Sequence, residues 1–264
     1  MQLPRPRRRF SQNFLHDAAA IGRIVEAIDP APGQFIVEIG PGRGALTAPI
    51  LARCGRLTAI EIDRDLAQAL QAGMQSDGLE LIQADALKVD WAQLAQRSGA
   101  GLRIVGNLPY HISTPLLFGW VPIASRVIDQ HLMLQRELVD RIVAQPGGKD
   151  YGRLSVMLQF RYRVQRLFHV PAGAFTPAPK VQSSVLRLVP RPVDELAVAD
   201  IGAFGRVVTA AFGQRRKTLR NALAALMDED SIRRAGIDPG LRAECLDIAA
   251  FARLCSGLPM PSQD

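Results

Sequence analysis

Four short stretches of this chain carry side chains whose types and spacing could do chemistry on a nucleoside. The most unusual is Gly106-Asn107-Leu108-Pro109-Tyr110, set directly after the apolar run Leu102-Arg103-Ile104-Val105. Pro109 lacks the N–H that a continuing strand would use, so a strand must stop there and a loop begin. That loop presents the Asn107 side-chain carbonyl, the Leu108 backbone carbonyl and the flat Tyr110 ring. Together these suit one task, holding a planar base that carries an exocyclic amine. The second stretch, Gly40-Pro41-Gly42-Arg43-Gly44, lies between the strand-like residues 35–39 and a helical pattern from about Leu46 to Arg53. Strand, glycine loop and helix let backbone approach a nucleotide closely. The Gly-x-Gly-x-Gly spacing departs from the dinucleotide fingerprint and points to a cofactor without a pyrophosphate, with a plain tight turn as the alternative.

The third and fourth stretches are acidic. Glu61 ends the strand-like run 57–62, where a carboxylate can accept both hydroxyls of a ribose or simply face solvent. Asp85 follows 79–83 and could accept from an adenine amine or cap a turn. Position joins these four separate signals. Gly40, Glu61, Asp85 and Asn107 are separated by 21, 24 and 22 residues, each just past an apolar run and before a helical pattern. That is the pitch of successive βα units, and right-handed crossovers bring all four strand ends to one rim of one parallel sheet.

The elements that must position them follow from periodicity. Asp17 is a candidate N-cap for a helix over 18–28, whose Ile21, Ile24, Val25 and Ile28 form one stripe. Asp63 can cap a helix through Leu70, and Ser113 is read as the cap of a helix through Phe118. Residues 127–134 read as the fifth strand, 136–144 and 154–160 as helices, and 164–170 and 181–189 as two antiparallel closing strands. Between those strands, two prolines stiffen Phe175-Thr176-Pro177-Ala178-Pro179-Lys180, so that Phe175 and Lys180 project. A ring there can belong to the core or be a stacking face beside a base pocket. Pro190-Arg191-Pro192 marks a boundary, and helices are predicted over 203–212, 218–227 and 243–254. The reading is therefore two domains, 1–191, with a basic arm over 1–16, and 192–264.

The chain has 264 residues, 48% of them hydrophobic, and a net charge of +7. Residues 1–191 carry 23 Lys/Arg against 15 Asp/Glu, and residues 192–264 carry 9 against 10. A basic first part favours a polyanionic partner through phosphate contacts. The exception in the second part is Gln214-Arg215-Arg216-Lys217 with Arg220. Cations at a helix start oppose the helix dipole, so this cluster reads as a phosphate contact, or otherwise as a solvated face. Arg5 to Arg9 is a second basic segment, either a solvated tail or a nucleic-acid contact. No run approaches the roughly 18 apolar residues of a membrane span, and the start lacks a signal-type apolar segment; the expected location is the cytosol. The three cysteines and four histidines match no metal or disulfide spacing, so free thiols and no structural metal are expected.

With these residues in view, the chain resembles the rRNA adenine N6,N6-dimethyltransferase family nearly end to end. The resemblance is carried by residues 11–15, 37–44 and 61–63, by Asp85-Ala86, by Asn107-Leu108-Pro109-Tyr110 with 112–115, by 175–181, and by Gln214 to Asn221. It implies a Rossmann-like class I methyltransferase domain, with a seven-stranded and mostly parallel sheet, followed by a small all-helical, rRNA-binding domain. It implies S-adenosylmethionine held by Asn13, Leu15, Gly40, Gly42, Glu61, Asp85 and Asn107. Asn107, Leu108, Pro109, Tyr110 and Phe175 would handle the base, and Arg215, Arg216, Lys217, Arg220 and Lys180 would touch RNA. The implied reaction is dimethylation of two adjacent adenosines near the 3′ end of 16S rRNA in the immature 30S subunit, by a monomer. His111 stands where the family pattern leads us to expect asparagine, which would alter the lip of the base pocket and leave the motif intact. Two other readings stay open. One is a methyltransferase of large-subunit rRNA of the antibiotic-resistance type; the other is a ribosome-assembly or RNA-binding factor whose catalysis is dispensable.

Overall fold

A computed structural model describes residues 12–74, 76–198, 200–214 and 216–256. The Arg5 to Arg9 arm and Arg215 lie outside the described residues. The chain divides into two compact units, residues 1–139 with 164–190, and 140–163 with 191–264. The stretch 140–163 thus groups with the second unit, whereas the division at 191/192 read from the sequence gives it to the first.

In the first unit the predicted βα pitch builds a sheet. Its strands are β2 (Phe35–Ile39), β3 (Leu57–Glu61), β4 (Leu79–Gln83), β5 (Leu102–Asn107), β6 (Val127–Gln135), β7 (Tyr162–Val170) and β9 (Ser183–Pro190), in the order β4-β3-β2-β5-β6-β9-β7. β2 to β6 pair in parallel, and β9 turns antiparallel against β6. The sheet is seven-stranded and mostly parallel, as expected. A separate ladder joins β1 (Phe14–Leu15) to β8 (Phe175–Thr176), with Leu15 opposite Phe175.

The helices between the strands carry their apolar stripes inward. α1 (Ala18–Ile28) starts at Asp17, whose carboxylate accepts from Ala20 N at 2.7 Å, and buries Ile24, Val25 and Ile28. α2 (Thr47–Cys54) and α3 (Arg64–Gly73) add Ile50, Leu51 and Leu70 to the same core as Ile36, Leu57 and Val105. α4 (Trp91–Arg97) precedes β5, and α5 (Tyr110–Gly119) follows it. Ser113 does not cap α5. The helix begins at Tyr110 with Pro109 as its N-cap, and the buried Ser113 hydroxyl donates to Pro109 O at 3.0 Å from within the first turn. A proline's fixed φ suits it to precede a helix directly, and that outcompetes the serine. α6 (Arg136–Ile142) closes this series.

Arg103 ties the sheet to α1. All five of its N–H groups are used: Nε and Nη2 donate to the two Asp129 carboxylate oxygens at 2.8 and 2.9 Å, Nη2 to Ile28 O at 2.5 Å, and Nη1 to Gln34 Oε1 and Asp29 O at 2.6 and 3.2 Å. Burial alone would raise the Asp129 pKa, but hydrogen bonds and charge from His131 and Arg103 outweigh it and bring the group down to about 2.

At the other end of β5, Gly106 pairs with Ile39 so closely that a Cβ on it would sit 2.6 Å from the Ile39 carbonyl oxygen. Gly106→Ala is therefore expected to lower stability by about 1–3 kcal/mol, as overpacked cores do. The test is the urea midpoint, and a change below about 0.5 kcal/mol would show that the two strands can separate freely.

The second unit contains α7 (Arg153–Arg161), α8 (Ile201–Gly213), α9 (Leu219–Ala222), α10 (Glu229–Arg234) and α11 (Ile248–Ser256). Phe160 stacks on Phe204 at 3.9 Å between ring centroids, and the Tyr151 hydroxyl donates to Leu246 O at 2.9 Å. The helix predicted over 218–227 is regular only for the four residues of α9. The one over 243–254 breaks into a 3-10 turn at Ala243–Cys245 and the later α11.

Candidate active site

The carboxyl ends of β2, β3, β4 and β5 open into one cavity of about 270 Å³. The pitch argument is realised here, because Gly40, Gly42, Glu61, Asp85 and Asn107 all line it, together with Asn13, Leu108, Pro109, Tyr110 and Phe175. Leu15 does not. It is buried in the core and lines a smaller recess behind the glycine loop. Lys180 is exposed next to Pro179, which lines the cavity. Arg216, Lys217 and Arg220 are exposed residues of the second unit.

The glycine loop leaves room that side chains would fill. Gly40 and Gly42 have φ of +65° and +58°, in the left-handed region that favours glycine. A Cβ on Gly42 would press on the Phe14 ring at 3.2 Å, and one on Gly40 would stand 3.7 Å from the Asn107 carbonyl oxygen. Facing the loop, the Glu61 carboxylate is held by backbone. Oε2 accepts from Gly42 N at 3.2 Å and Oε1 from Asp63 N at 2.9 Å. Burial raises its pKa, and these N–H groups oppose the rise. Asp63 in turn caps α3 by accepting from Asp65 N at 3.0 Å, and takes the Gln12 amide at 3.1 Å. Asp85 combines both of its sequence readings. One oxygen accepts from Leu87 N at 3.0 Å and so caps the turn, while the residue lines the cavity.

At the β5 end, the Asn107 amide Nδ2 donates to Asn13 O at 3.3 Å, which leaves its Oδ1 to accept from another group. Leu108 N donates to Met133 O at 3.1 Å and anchors the Asn107–Leu108 peptide, which directly precedes the second carbonyl. Tyr110 is half-buried beside Ser183 and Gln135; burial pushes its phenol up, so the ring is uncharged at neutral pH. Phe175, 4% exposed, belongs both to the core and to the cavity wall.

Two aliphatic side chains escaped the sequence reading. Ile62 and Leu87 line the cavity and yet are 46% and 45% exposed. Their only signal in the sequence is an apolar residue one or two places beyond an acidic strand end. Half-exposed aliphatics flanking carboxylates suit the faces of a purine whose edge and ribose are taken by acids.

These features fit S-adenosylmethionine. Acceptors stand ready for ribose hydroxyls and an adenine amine, apolar surface for the ring, and a glycine-rich loop for the remainder. Fold and site together define an S-adenosylmethionine-dependent methyltransferase. The chain belongs to the ribosomal RNA adenine dimethylase family, whose model matches residues 4–258. It is 54% identical over 250 residues to the ribosomal RNA small subunit methyltransferase A of Aromatoleum aromaticum, covering 95% of this chain and 93% of that protein. Identity is 51% to the protein of the same name from Acinetobacter baylyi, covering 94% and 90%. Among solved structures, a dimethyladenosine transferase from Plasmodium falciparum superposes with a TM-score of 0.81 at 22% identity, over 91% of this chain and 95% of that one, which supports the fold. The 23S rRNA methyltransferase ErmE superposes with a TM-score of 0.71 at 26% identity, over 93% and 99%.

Proposed function

We propose that this chain dimethylates N6 of two adjacent adenosines in the 3′-terminal hairpin loop of 16S rRNA during maturation of the 30S subunit, acting as a monomer in the cytoplasm. The observation that carries the reading is the convergence on one cavity of a nucleoside-type site at Gly40, Glu61 and Asp85 with the amine-accepting Asn107 to Tyr110. Near-full-length similarity to proteins named for the small subunit supports the choice of substrate.

S-adenosylmethionine, when bound, supplies an electrophilic methyl group. Glu61 would accept the ribose hydroxyls, Asp85 the adenine amine, and Asn13, Gly40, Gly42 and Asn107 would bound the remainder; Leu15 supports that wall from the core. The difficulty lies in the nucleophile, because the N6 lone pair of adenine is delocalised into its ring. Asn107 Oδ1 and Leu108 O would accept the two N6 protons and favour a pyramidal nitrogen aimed at the methyl group. Pro109 fixes the turn that sets those two carbonyls side by side. Tyr110 would stack on the base and Phe175 would enclose it, once the nucleotide has left its stack. After the first transfer one N–H remains for a carbonyl, and the released proton passes to water. Arg216, Lys217, Arg220 and Lys180, with Arg215 outside the described residues, would neutralise phosphates, and residues 192–264 would act as an rRNA-binding domain.

The test is incubation with labelled cofactor and 30S particles lacking the modification, followed by nucleoside analysis. N6,N6-dimethyladenosine in 16S rRNA is the expected product. Label appearing in 23S rRNA alone would replace this reading with the large-subunit one, which the likeness to ErmE keeps in view.

A further inference from the structure

The Asp85 carboxylate is held by one peptide group, and that peptide is in turn held from behind the cavity wall. Leu87 N donates to Asp85 Oδ1 at 3.0 Å, which leaves Oδ2 to accept from a ligand. The carbonyl of the same Ala86–Leu87 peptide accepts from the Trp91 indole Nε1 at 2.9 Å, in a buried hydrogen bond. Both polar ends of this peptide are therefore fixed, its N–H on the carboxylate and its C=O on the first residue of α4. Asp85, Ala86 and Leu87 line the cavity, whereas Trp91 stands behind them, 8% exposed. Asp90 caps α4 by accepting from Gln93 N at 2.9 Å, so the start of the helix that carries the indole is set locally. The indole plane is set by Trp120, which is fully buried and meets it edge-on at 5.2 Å between ring centroids and 81° between planes. Packing alone would be served by any large apolar ring, and only the indole adds a donor. Without that donor the buried Ala86 carbonyl has to turn to find another partner, and the Leu87 N–H turns with it.

We propose that Trp91 is a positioning residue that makes this site selective for a purine bearing a 6-amino group, by holding the Ala86–Leu87 peptide in the orientation that fixes Asp85 against the cavity. This rests on the assignment of the cofactor's adenine amine to Asp85. Loss of the indole donor releases the peptide, its N–H leaves Oδ1, and the carboxylate is no longer held for the amine. The ribose contact persists, because Glu61 is held separately by Gly42 N and Asp63 N. The effect is thus confined to one hydrogen bond of the ligand.

The experiment is titration calorimetry of the full chain with S-adenosylhomocysteine and with its analogue in which hydrogen replaces the 6-amino group. The wild type should bind the amine-bearing ligand about tenfold more tightly or better, as a hydrogen bond to a charged group does. In Trp91→Phe, which keeps an aromatic ring and loses the donor, affinity for S-adenosylhomocysteine should fall about tenfold while that for the analogue changes by less than about twofold. If Trp91→Phe fails to fold, Trp91→benzothienylalanine makes the same test, since it puts sulfur in place of the indole N–H and keeps the two-ring outline. A role in packing alone would weaken both ligands alike or neither, so a ratio unchanged from the wild type in the folded variant overturns the proposal. A wild-type ratio near one would instead reject the assignment of Asp85 to the amine, and the role of Trp91 with it.

Discussion

Asn107→Ala is expected to lower methyl transfer to unmethylated 30S particles by about 10²–10³-fold, the scale on which a single preorganised acceptor or donor acts in a water-excluded site. The argument is geometric. The Asn107 amide is anchored by its own donation to Asn13 O at 3.3 Å, so its Oδ1 is held in place before any base arrives. Alanine removes the acceptor and the Nδ2 donation to Asn13 O. It leaves Glu61, Asp85 and the glycine loop as they are, so cofactor affinity should change by less than about tenfold. Asn107→Asp supplies the control: it retains an acceptor and loses the Nδ2 donor, and should fall between alanine and wild type. Single-turnover transfer rates and calorimetric cofactor affinity are the paired measurements. Near-normal transfer by the alanine variant, with cofactor binding intact, would sink the proposed role of the side chain.

The second large effect is on stability. Arg103→Met is expected to cost about 3–5 kcal/mol, the range found when one partner of a buried ion pair is removed and the other remains. Asp129 would lose its bidentate partner while staying 3% exposed, and the carbonyls of Ile28 and Asp29 would lose their donor. Arg103→Met with Asp129→Leu should recover most of the loss, because the pair is then replaced by apolar volume. Urea midpoints of the single and double variants measure the coupling, and a loss below about 1 kcal/mol for Arg103→Met would reduce the pair to the worth of a surface contact. The pH dependence follows the same logic. The folded pKa of Asp129 is depressed, so its stabilisation is fully present above the ordinary carboxylate value of 3.8 and is lost as the pH falls through about 2.

The site was more legible in the sequence than the packing around it. Gly40, Glu61, Asp85 and Asn107 could be placed on one rim because βα units repeat at a regular length and cross over with one hand, so spacing alone carries three-dimensional information. Pro109 was read correctly as the end of a strand. The cap assigned to Ser113 failed because the same proline starts the helix at once, a choice between two local signals that spacing does not settle. The burial of Glu38 and Arg103 could not be read from the sequence, for a different reason. Each lies inside an apolar run, and only contacts between distant segments, Glu38 with Thr47 and Glu61, Arg103 with Asp129 and Ile28, reveal that a charge is buried there. Ile62 and Leu87 were passed over because exposed aliphatic residues are common on any surface. The grouping of 140–163 with the chain beyond 190 depends on such distant contacts too.

The small ladder of Phe14–Leu15 with Phe175–Thr176 sets the order in which the site can be completed on the ribosome that makes this protein. Glycine loop, acidic strand ends and Asn107 have all emerged within the first 107 residues. Their wall has not, for Phe175 and Ser183 come some seventy residues later, and Phe14 and Leu15 lack their pairing strand until then. A chain that ended before Phe175 would carry Gly40, Glu61, Asp85 and Asn107 and still lack that part of the cavity wall.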